Sequence, residues 1–409
     1  PGYRAAVRLL AAFAVAGRLC PGRPPGGVRA DVARVQPGDR LLLRPAALTI
    51  AIFVLLVALA AANGSNDVPK GVATLAGAGV ARYRTAIAWG TVTTLTGALC
   101  SLALAGKLTA LFSKGIVSAT PTPAFALAVL VGAGVWVALA TATKLPVSTT
   151  HALIGALIGA GLLLSASSVQ FAALGTKVVL PLLASIAVAY VLSLLLSLIP
   201  LRVPECVCVE VNPSIPGAIA GADGSMAFTT SVGLPVVSVT SGSAQECAAH
   251  AGQVNMLAVV NALHWLSSGA TSFARGLNDT PKIVAIGAFA LVPAGMSTTG
   301  VLLTVALAMA VGSLVGGLRV AKRLGEGVVR MSHVEGFKAN LTTSVLVGLG
   351  ATQGLPMSTT HVSTGAIAGA AGRDVARLNR TTLRDFAIAW TVTPIVAALI
   401  AVVVYLLAR

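Results

Sequence analysis

Two polar motifs, each present once in either half of this 409-residue chain, constrain its fold more than any other feature. The segment Gly64-Ser-Asn-Asp-Val-Pro-Lys-Gly-Val-Ala73 corresponds to Gly276-Leu-Asn-Asp-Thr-Pro-Lys-Ile-Val-Ala285. Likewise, Leu145-Pro-Val-Ser-Thr-Thr-His151 corresponds to Leu355-Pro-Met-Ser-Thr-Thr-His361. The Asp of the first motif precedes the His of the second by 84 positions in one half and by 82 in the other. Two motifs that recur in the same order at nearly the same spacing indicate an internal duplication.

The residues around these motifs are apolar enough for a membrane. Hydrophobic residues make up 56% of the chain and charged residues 10%, whereas about a quarter of a soluble protein is charged. Stretches such as 86–106, 176–200 and 386–408 are long enough to cross a hydrocarbon core. The formal net charge of +16 does not indicate nucleic acid, because the cations cluster in a tail and in short loops without an aromatic-basic stripe. The sequence predicts an all-α polytopic protein of the cell (inner) membrane, with the lipid bilayer as its partner.

Twelve apolar segments follow a basic tail, in two sets of six. Residues 1–44 hold eight arginines and a run rich in proline and glycine, so no regular structure is expected there. The predicted divisions after the tail are a first transmembrane repeat over 45–202, a central soluble loop over 203–254 and a second transmembrane repeat over 255–409. Several segments are too short to span a bilayer alone, which favours discontinuous helices or re-entrant hairpins.

Basic residues alternate between the two halves. Arg82 and Arg84 follow the first motif, whereas the equivalent stretch at 293–298 is uncharged; conversely, 162–174 is uncharged and its counterpart, 373–384, carries four arginines. By the positive-inside rule, equivalent loops then face opposite sides of the membrane, as in inverted-topology repeats. In this inverted arrangement the basic tail lies outside the cell and the acidic central loop lies in the cytoplasm. Both placements are opposite to the positive-inside rule, but long segments obey that rule only weakly.

The Asn-Asp-x-Pro-Lys motifs place carboxylates at predicted membrane depth. An ionised Asp at a helix centre costs roughly 2.5–3.5 kcal/mol on insertion scales, so it needs a partner or a function. Asp67 and Asp279, together with Asn66 and Asn278, have the hard oxygen ligands that suit Na⁺. Proton relay and helix capping are the two other interpretations of these residues.

The proline of each motif predicts a helix break. Because proline suits the first turn of a helix and does not continue a preceding one, Pro69 and Pro281 are each expected to begin a new half-helix. Lys70 and Lys282 follow each Asp by three positions, where an ammonium reaches the carboxylate on a helix. These lysines either neutralise the carboxylates or contact an anion. Arg275, four residues before Asp279, has no cationic counterpart, since Asn63 stands at the equivalent position.

The Pro-x-Ser-Thr-Thr-His motifs place hydroxyls just ahead of glycine-rich apolar segments. Hydroxyls combined with the free amides and positive dipole of a helix N-terminus can bind a tetrahedral oxyanion, although N-capping alone is the simpler interpretation. His151 and His361 follow the hydroxyls and either bond the loop, protonate or pack. The hydroxyl residues are Ser148, Thr149, Thr150, Ser358, Thr359 and Thr360.

Together these residues resemble the inorganic phosphate transporter (PiT) family of cation-coupled symporters, whose signature is a duplicated Gly-Ala-Asn-Asp motif with duplicated Pro-x-Ser-Thr-Thr-His segments. The resemblance covers about residues 45–409 and rests on Gly64-Ser65-Asn66-Asp67, Gly276-Leu277-Asn278-Asp279 and both Ser-Thr-Thr-His runs. It implies phosphate symport by alternating access, with Na⁺ or H⁺ as coupling ion and no other cofactor. The implied substrate-binding residues are the six hydroxyl residues with Asn66, Asn278, Lys70 and Lys282; the implied coupling-ion residues are Asp67, Asp279, Asn66 and Asn278, with the two Asp as metal ligands if the ion is Na⁺.

Other functions fit the sequence less well. Much of the family continues the first signature as Ala-Asn, where this chain has Pro69-Lys70. Some family members that resemble this chain carry sulfate. Sulfate or another oxyanion is therefore the alternative substrate. An anion channel favours a continuous polar pore, whereas polarity here is concentrated at two breaks. An enzyme is not expected, because Ser148 and His151 have no orienting acid at a recognisable spacing. The pattern leaves a homodimer open, and Cys206, Cys208 and Cys247 are expected to be ordinary thiols more than a zinc or disulfide site.

Overall fold

The computed structural model describes residues 45–143, 147–199, 206–212, 218–220, 226–228, 236–242, 253–254, 256–327, 331–372 and 375–409. The expectation for the tail at 1–44 and those for Cys247 lie outside the described residues. All of the described elements belong to one compact unit, Arg40–Arg409.

The described part of the first half contains five long helices and several short turns. A short helix at Gly106–Ala110 and a π-helical turn at Leu111–Gly115 follow the second long helix, and a 3₁₀ turn at Ala166–Ser168 follows the fourth. The long helices are α1 (Pro45–Gly77), α2 (Tyr83–Leu104), α3 (Pro123–Ala142), α4 (Thr149–Ser165) and α5 (Phe171–Ser197).

The second half repeats this order. A 3₁₀ turn at Val375–Arg377 lies between its last two helices, at the position equivalent to the turn at Ala166–Ser168. The long helices are α6 (Met256–Leu291), α7 (Thr298–Gly327), α8 (His333–Gln353), α9 (Thr359–Ala370) and α10 (Arg380–Ala408).

Among the described residues between the two halves are five short strands, in the stretch that the sequence indicates as a soluble loop. They form an antiparallel sheet of order β4-β1-β5 and a separate β2-β3 pair. Cys206 and Cys208 lie on the first strand. The strands are β1 (Cys206–Asn212), β2 (Ala218–Ala220), β3 (Met226–Phe228), β4 (Val236–Gly242) and β5 (Gln253–Val254).

The helices have the length and surface of membrane spans. Seven of the described helices, namely α1 to α5, α7 and α10, are long and apolar enough to cross a bilayer. Large apolar side chains are exposed along them, such as Leu399, Val403 and Leu407 on α10. A continuous exposed apolar surface of this kind suits lipid and not water. The chain is therefore a nearly all-helical, multi-pass membrane protein.

The predicted helix breaks at Pro69 and Pro281 are wrong. Both prolines lie inside continuous helices, α1 and α6. A proline costs a helix one backbone hydrogen bond, but a helix in an apolar protein tolerates this where neighbouring helices enclose it. Here α1 packs against α3, α6 and α7, and α6 packs against α1, α2 and α8.

The helices are interrupted instead at the Ser-Thr-Thr-His motifs. The chain leaves α3 and re-enters helix at Thr149, and it leaves α8 at Gly354, which has a positive φ of 78°, and re-enters helix at Thr359. Ser148 and Ser358 cap the new helices, each accepting a hydrogen bond from the backbone N–H of the following histidine at 3.3 Å. Because α9 has only 12 residues, it is too short to cross a bilayer.

The two halves are interleaved, because helices of each half pack against helices of the other half. The first helix of each half packs against the second helix of the other, α1 on α7 and α6 on α2, and α4 packs on α10 as α9 packs on α5. Gly64 lies against the backbone of Met309 in the first of these contacts, and its counterpart Gly276 lies against the backbone of Thr94 in the second. A Cβ at either glycine would overlap the opposing carbonyl. The duplication in the sequence is thus a structural duplication with two-fold exchange symmetry.

Candidate functional site

The Asn-Asp motifs bring two equivalent helix faces together at the centre of the molecule. Residues at positions i, i+4 and i+7 share one face of a helix. On α1 these are Asn63, Asp67 and Lys70, and on α6 they are Arg275, Asp279 and Lys282. All six side chains are buried.

In the first half, Asp67 is fully satisfied by hydrogen bonds. Lys70 forms an ion pair with Oδ1. Oδ2 accepts from Nδ2 of Asn63 at 2.6 Å and from Oγ1 of Thr149 at 2.7 Å. Asn63 also donates to Thr149 Oγ1 at 2.9 Å, which closes a triangle of three side chains. Asn66 points elsewhere and donates to Oγ1 of Thr141 at 3.2 Å.

In the second half, only one oxygen of Asp279 is bound. Lys282 Nζ lies 3.3 Å from Oδ1, and Nδ2 of Asn278 donates to the same oxygen at 2.8 Å. Asn278 also donates to the carbonyl of Met357 at 2.9 Å. Oδ2 of Asp279 has no hydrogen-bond partner among the residues that the structure describes. The two carboxylates are therefore equivalent in position but differ in their partners.

Each lysine joins the two halves. Lys70 Nζ donates to Oγ1 of Thr360 at 2.7 Å and to the carbonyl of Val147 at 2.6 Å. Lys282 Nζ donates to Oγ1 of Thr150 at 2.7 Å and to the carbonyl of Met357 at 3.1 Å. Each ammonium thus binds its own aspartate, a carbonyl of its own half and a threonine of the other half. The expected approach of lysine to aspartate is confirmed in both halves.

The histidines meet where the two exchanged helices begin. His151 and His361 have ring centroids 4.6 Å apart, and Trp390 packs against His361 with centroids 4.1 Å apart and the ring planes tilted by 54°. His361 Nδ1 lies 3.3 Å from the carbonyl of Leu182. This contact between equivalent residues marks the position of the pseudo-two-fold axis, beside the Ser-Thr-Thr hydroxyls.

The charges in the site do not balance. Three cations, Lys70, Arg275 and Lys282, face two carboxylates in a region closed to solvent. The two lysines pair with the two aspartates, which leaves Arg275 as the excess positive charge. In a low-dielectric environment such an excess favours the binding of an anion.

Sequence reasoning found most of this cluster but missed several of its members. The sequence comparison marks Asn63 only as the counterpart of Arg275, although its spacing of four residues from Asp67 places it on the same helix face. Thr141 and the carbonyls of Val147 and Met357 carry no pattern that a sequence shows. Among the described residues, no group of three or more His, Cys, Asp and Glu side chains is arranged to hold a metal ion.

Comparison with known proteins places this arrangement in a family. The profile of the phosphate transporter family matches residues 63–401. A probable low-affinity inorganic phosphate transporter of Mycobacterium tuberculosis (strain ATCC 25618 / H37Rv) is 28% identical over 375 residues, covering 88% of this chain and 78% of that protein. A putative phosphate permease of Pyrococcus furiosus is 26% identical over 410 residues, covering 91% of this chain and 98% of that protein.

A solved structure has the same fold. It is described as the sodium-dependent phosphate transporter, and it superposes with a TM-score of 0.70 at 22% sequence identity. The superposition covers 88% of this chain and 98% of the other. The helices of this chain therefore have a fold already seen in a solved structure.

Proposed function

We propose that this chain, which belongs to the phosphate transporter family, carries inorganic phosphate across the cell (inner) membrane by symport with a cation, Na⁺ or H⁺. The substrate site lies between the two halves and is reached from either side by alternating access. The relatives whose names specify phosphate, and the fold shared with a phosphate transporter, support the choice of substrate.

One observation carries the proposal: the bonds from Lys70 to Thr360 and from Lys282 to Thr150 cross between the halves. When the halves move apart, these ammonium and hydroxyl groups lose each other as partners. A phosphate oxygen can replace each partner, since it accepts from both ammonium and hydroxyl donors. Substrate binding and the relative position of the halves are coupled in this way.

The amides at the starts of α4 and α9 add further donors. The first N–H groups of a helix have no partner within it, and the helix dipole makes that end positive. Phosphate bound there contacts both Ser-Thr-Thr runs without requiring more fixed charges. The residues proposed for the substrate are Ser148, Thr149, Thr150, Ser358, Thr359, Thr360, Asn66, Asn278, Lys70 and Lys282.

Alternating access of this type is common in proteins with inverted repeats, and the helix count supports that orientation. Five long helices are described in each half. The α3–α4 and α8–α9 hairpins either cross the membrane twice or return to the side they entered. In both cases they leave unchanged whether the number of crossings in a half is odd or even. Each half then crosses an odd number of times, which gives two like halves opposite orientations.

Asp67 and Asp279 are proposed as the coupling-ion residues, with Asn66 and Asn278 as neighbouring ligands. A carboxylate buried beside the substrate site can bind Na⁺ or accept a proton, and either event changes the charge that the substrate experiences. Both carboxylates are buried in the structure.

The decisive experiment is uptake of radiolabelled phosphate into proteoliposomes, with Na⁺ and pH gradients imposed separately. Symport requires phosphate to accumulate above the external concentration under one of the two gradients and not without it. Flux that stops at equal concentrations under both gradients identifies a channel and overturns symport. Sulfate, added as a competitor, tests the alternative substrate in the same assay.

A further inference from the structure

We propose that Arg275 and Oδ2 of Asp279 form a subsite that selects a protonated tetrahedral oxyanion, such as phosphate, over sulfate. This inference rests on the proposed function and assigns its substrate selectivity to two side chains of the second half. It also gives a role to Arg275, which has no cationic counterpart in the first half.

Arg275 is a donor without an acceptor. Its side chain is fully buried, and none of its three guanidinium nitrogens has a hydrogen-bond partner among the described residues. Arg275 lies four residues before Asp279 on the same face of α6, so it belongs to the charged cluster. An ionised, buried guanidinium without hydrogen bonds is strongly unfavourable, and an oxyanion supplies acceptors in the planar geometry that arginine prefers.

Asp279 is an acceptor without a donor. Its Oδ2 is buried and unpartnered among the described residues, whereas Oδ2 of Asp67 accepts from Asn63 and Thr149. Asn63 and Arg275 occupy equivalent positions, four residues before each aspartate. The first half thus fills the position with an amide that binds its own carboxylate, and the second half leaves a donor and an acceptor about one helical turn apart, neither with a partner among the described residues.

Only some oxyanions satisfy both groups. A ligand there must offer acceptor oxygens to Arg275 and an O–H donor to Asp279. Phosphate and arsenate keep one or two O–H groups at neutral pH, whereas sulfate keeps none. A sulfate oxygen opposite Oδ2 would leave two negatively charged acceptors in contact, with no proton between them.

The test is competition for binding of radiolabelled phosphate to the purified full-length protein, measured in detergent without any gradient. A site built to bind a substrate O–H rejects analogues that lack it by large factors, so we expect arsenate to compete within a few-fold of phosphate and sulfate to bind about 100-fold more weakly or worse. Equal competition by sulfate and arsenate in the unmodified protein overturns the inference.

Asp279→Asn supplies the sharpest variant, because its amide can donate to a sulfate oxygen. The phosphate-to-sulfate affinity ratio should fall by about tenfold or more. Asp385→Asn is the matched control: it makes the same chemical change on α10, where the aspartate pairs with the exposed Arg384, and it should leave the ratio unchanged. An equal fall in both variants, or in neither, contradicts the assignment.

Arg275→Gln tests the donor independently. It should weaken phosphate and sulfate binding alike by about tenfold or more, and Arg275→Lys should retain part of the affinity. Wild-type affinity in monodisperse Arg275→Gln protein overturns the role of the guanidinium; if that variant does not fold, Arg275→Lys decides, and unchanged affinity there counts against it. Because binding is measured without a gradient, selective binding with no coupled uptake refutes the proposed symport alone.

Discussion

Lys70 donates a 2.7 Å hydrogen bond to Oγ1 of Thr360, a residue 290 positions away in the other half of the chain. The equivalent bond joins Lys282 to Thr150, also at 2.7 Å. Neither half contains a complete site, since each ammonium takes its carboxylate from its own half and its hydroxyl from the other. The exchange of helices between the halves is what places these residues within reach.

Removing the bridging hydroxyls tests the anion site. Thr150→Val and Thr360→Val preserve a β-branched shape and delete only a hydroxyl that accepts from a lysine. Each substitution should weaken apparent phosphate affinity by about tenfold or more, because the bound phosphate loses one hydroxyl donor. The two losses should be of similar size, since the bonds are equivalent. Phosphate binding to each purified variant measures them.

Thr391→Val is the matched control for these variants. Thr391 is exposed on α10 and bonds only to the backbone one turn earlier. Its substitution should leave the affinity unchanged. If Thr150→Val and Thr360→Val bind phosphate like this control, the anion site lies elsewhere and the threonines serve as structural partners of the lysines.

Neutralising the aspartates tests coupling. Asp67→Asn and Asp279→Asn keep the side-chain shape but remove the charge that a coupling cation or proton requires. Gradient-driven phosphate accumulation in proteoliposomes should collapse in both variants. Phosphate exchange between equal concentrations, measured in the same vesicles, distinguishes lost coupling from lost insertion. Accumulation at the unmodified level in both variants would reduce the aspartates to partners of Lys70 and Lys282.

Local sequence patterns predicted the elements of the site better than its assembly. The i, i+3 spacing of Asp67 and Lys70 sufficed to predict their ion pair, and the hydroxyl ahead of an apolar segment sufficed to predict Ser148 as a helix cap. The predicted helix break at Pro69 is wrong, because the effect of a proline on a helix depends on the helices packed around it. The strands at 206–254 were not anticipated from that less apolar stretch.

The exchange between halves could not be inferred from the sequence at all. Motif spacing indicates a duplication, but it does not say whether each copy folds on itself or packs into the other. The partners of the two lysines depend on that choice, since Lys70 bonds Thr360 and Lys282 bonds Thr150 only across the two halves. The unpaired atoms of the second half are consequently visible only in three dimensions.

The glycines at the exchange contacts provide a test of the packing. Gly64→Ala and Gly276→Ala each place a methyl group against the backbone of a helix from the other half. Overpacking of this kind typically lowers the free energy of unfolding by about 1–3 kcal/mol. We therefore expect both variants to unfold at a lower midpoint temperature. Gly175→Ala is the control, because no atom lies within 4 Å of an added Cβ there. Unchanged midpoints for both contact glycines would contradict the close approach of α1 to α7 and of α6 to α2.

The orientation of the repeats is open to direct measurement. The turns at Ala166–Ser168 and Val375–Arg377 occupy equivalent positions, and Ser167 and Ala376 are exposed in them. If the halves are inverted, a cysteine replacing Ser167 should react with a membrane-impermeant thiol reagent only from outside the cell. Cysteines replacing Ala376 and Ala81, which flank the basic residues, should react only from the cytoplasm. The labelling should be done in a background without the native cysteines, so that Cys100 does not contribute. Labelling of positions 167 and 376 from the same side would show that the two halves run parallel, and alternating access would then need a different symmetry from the one proposed here.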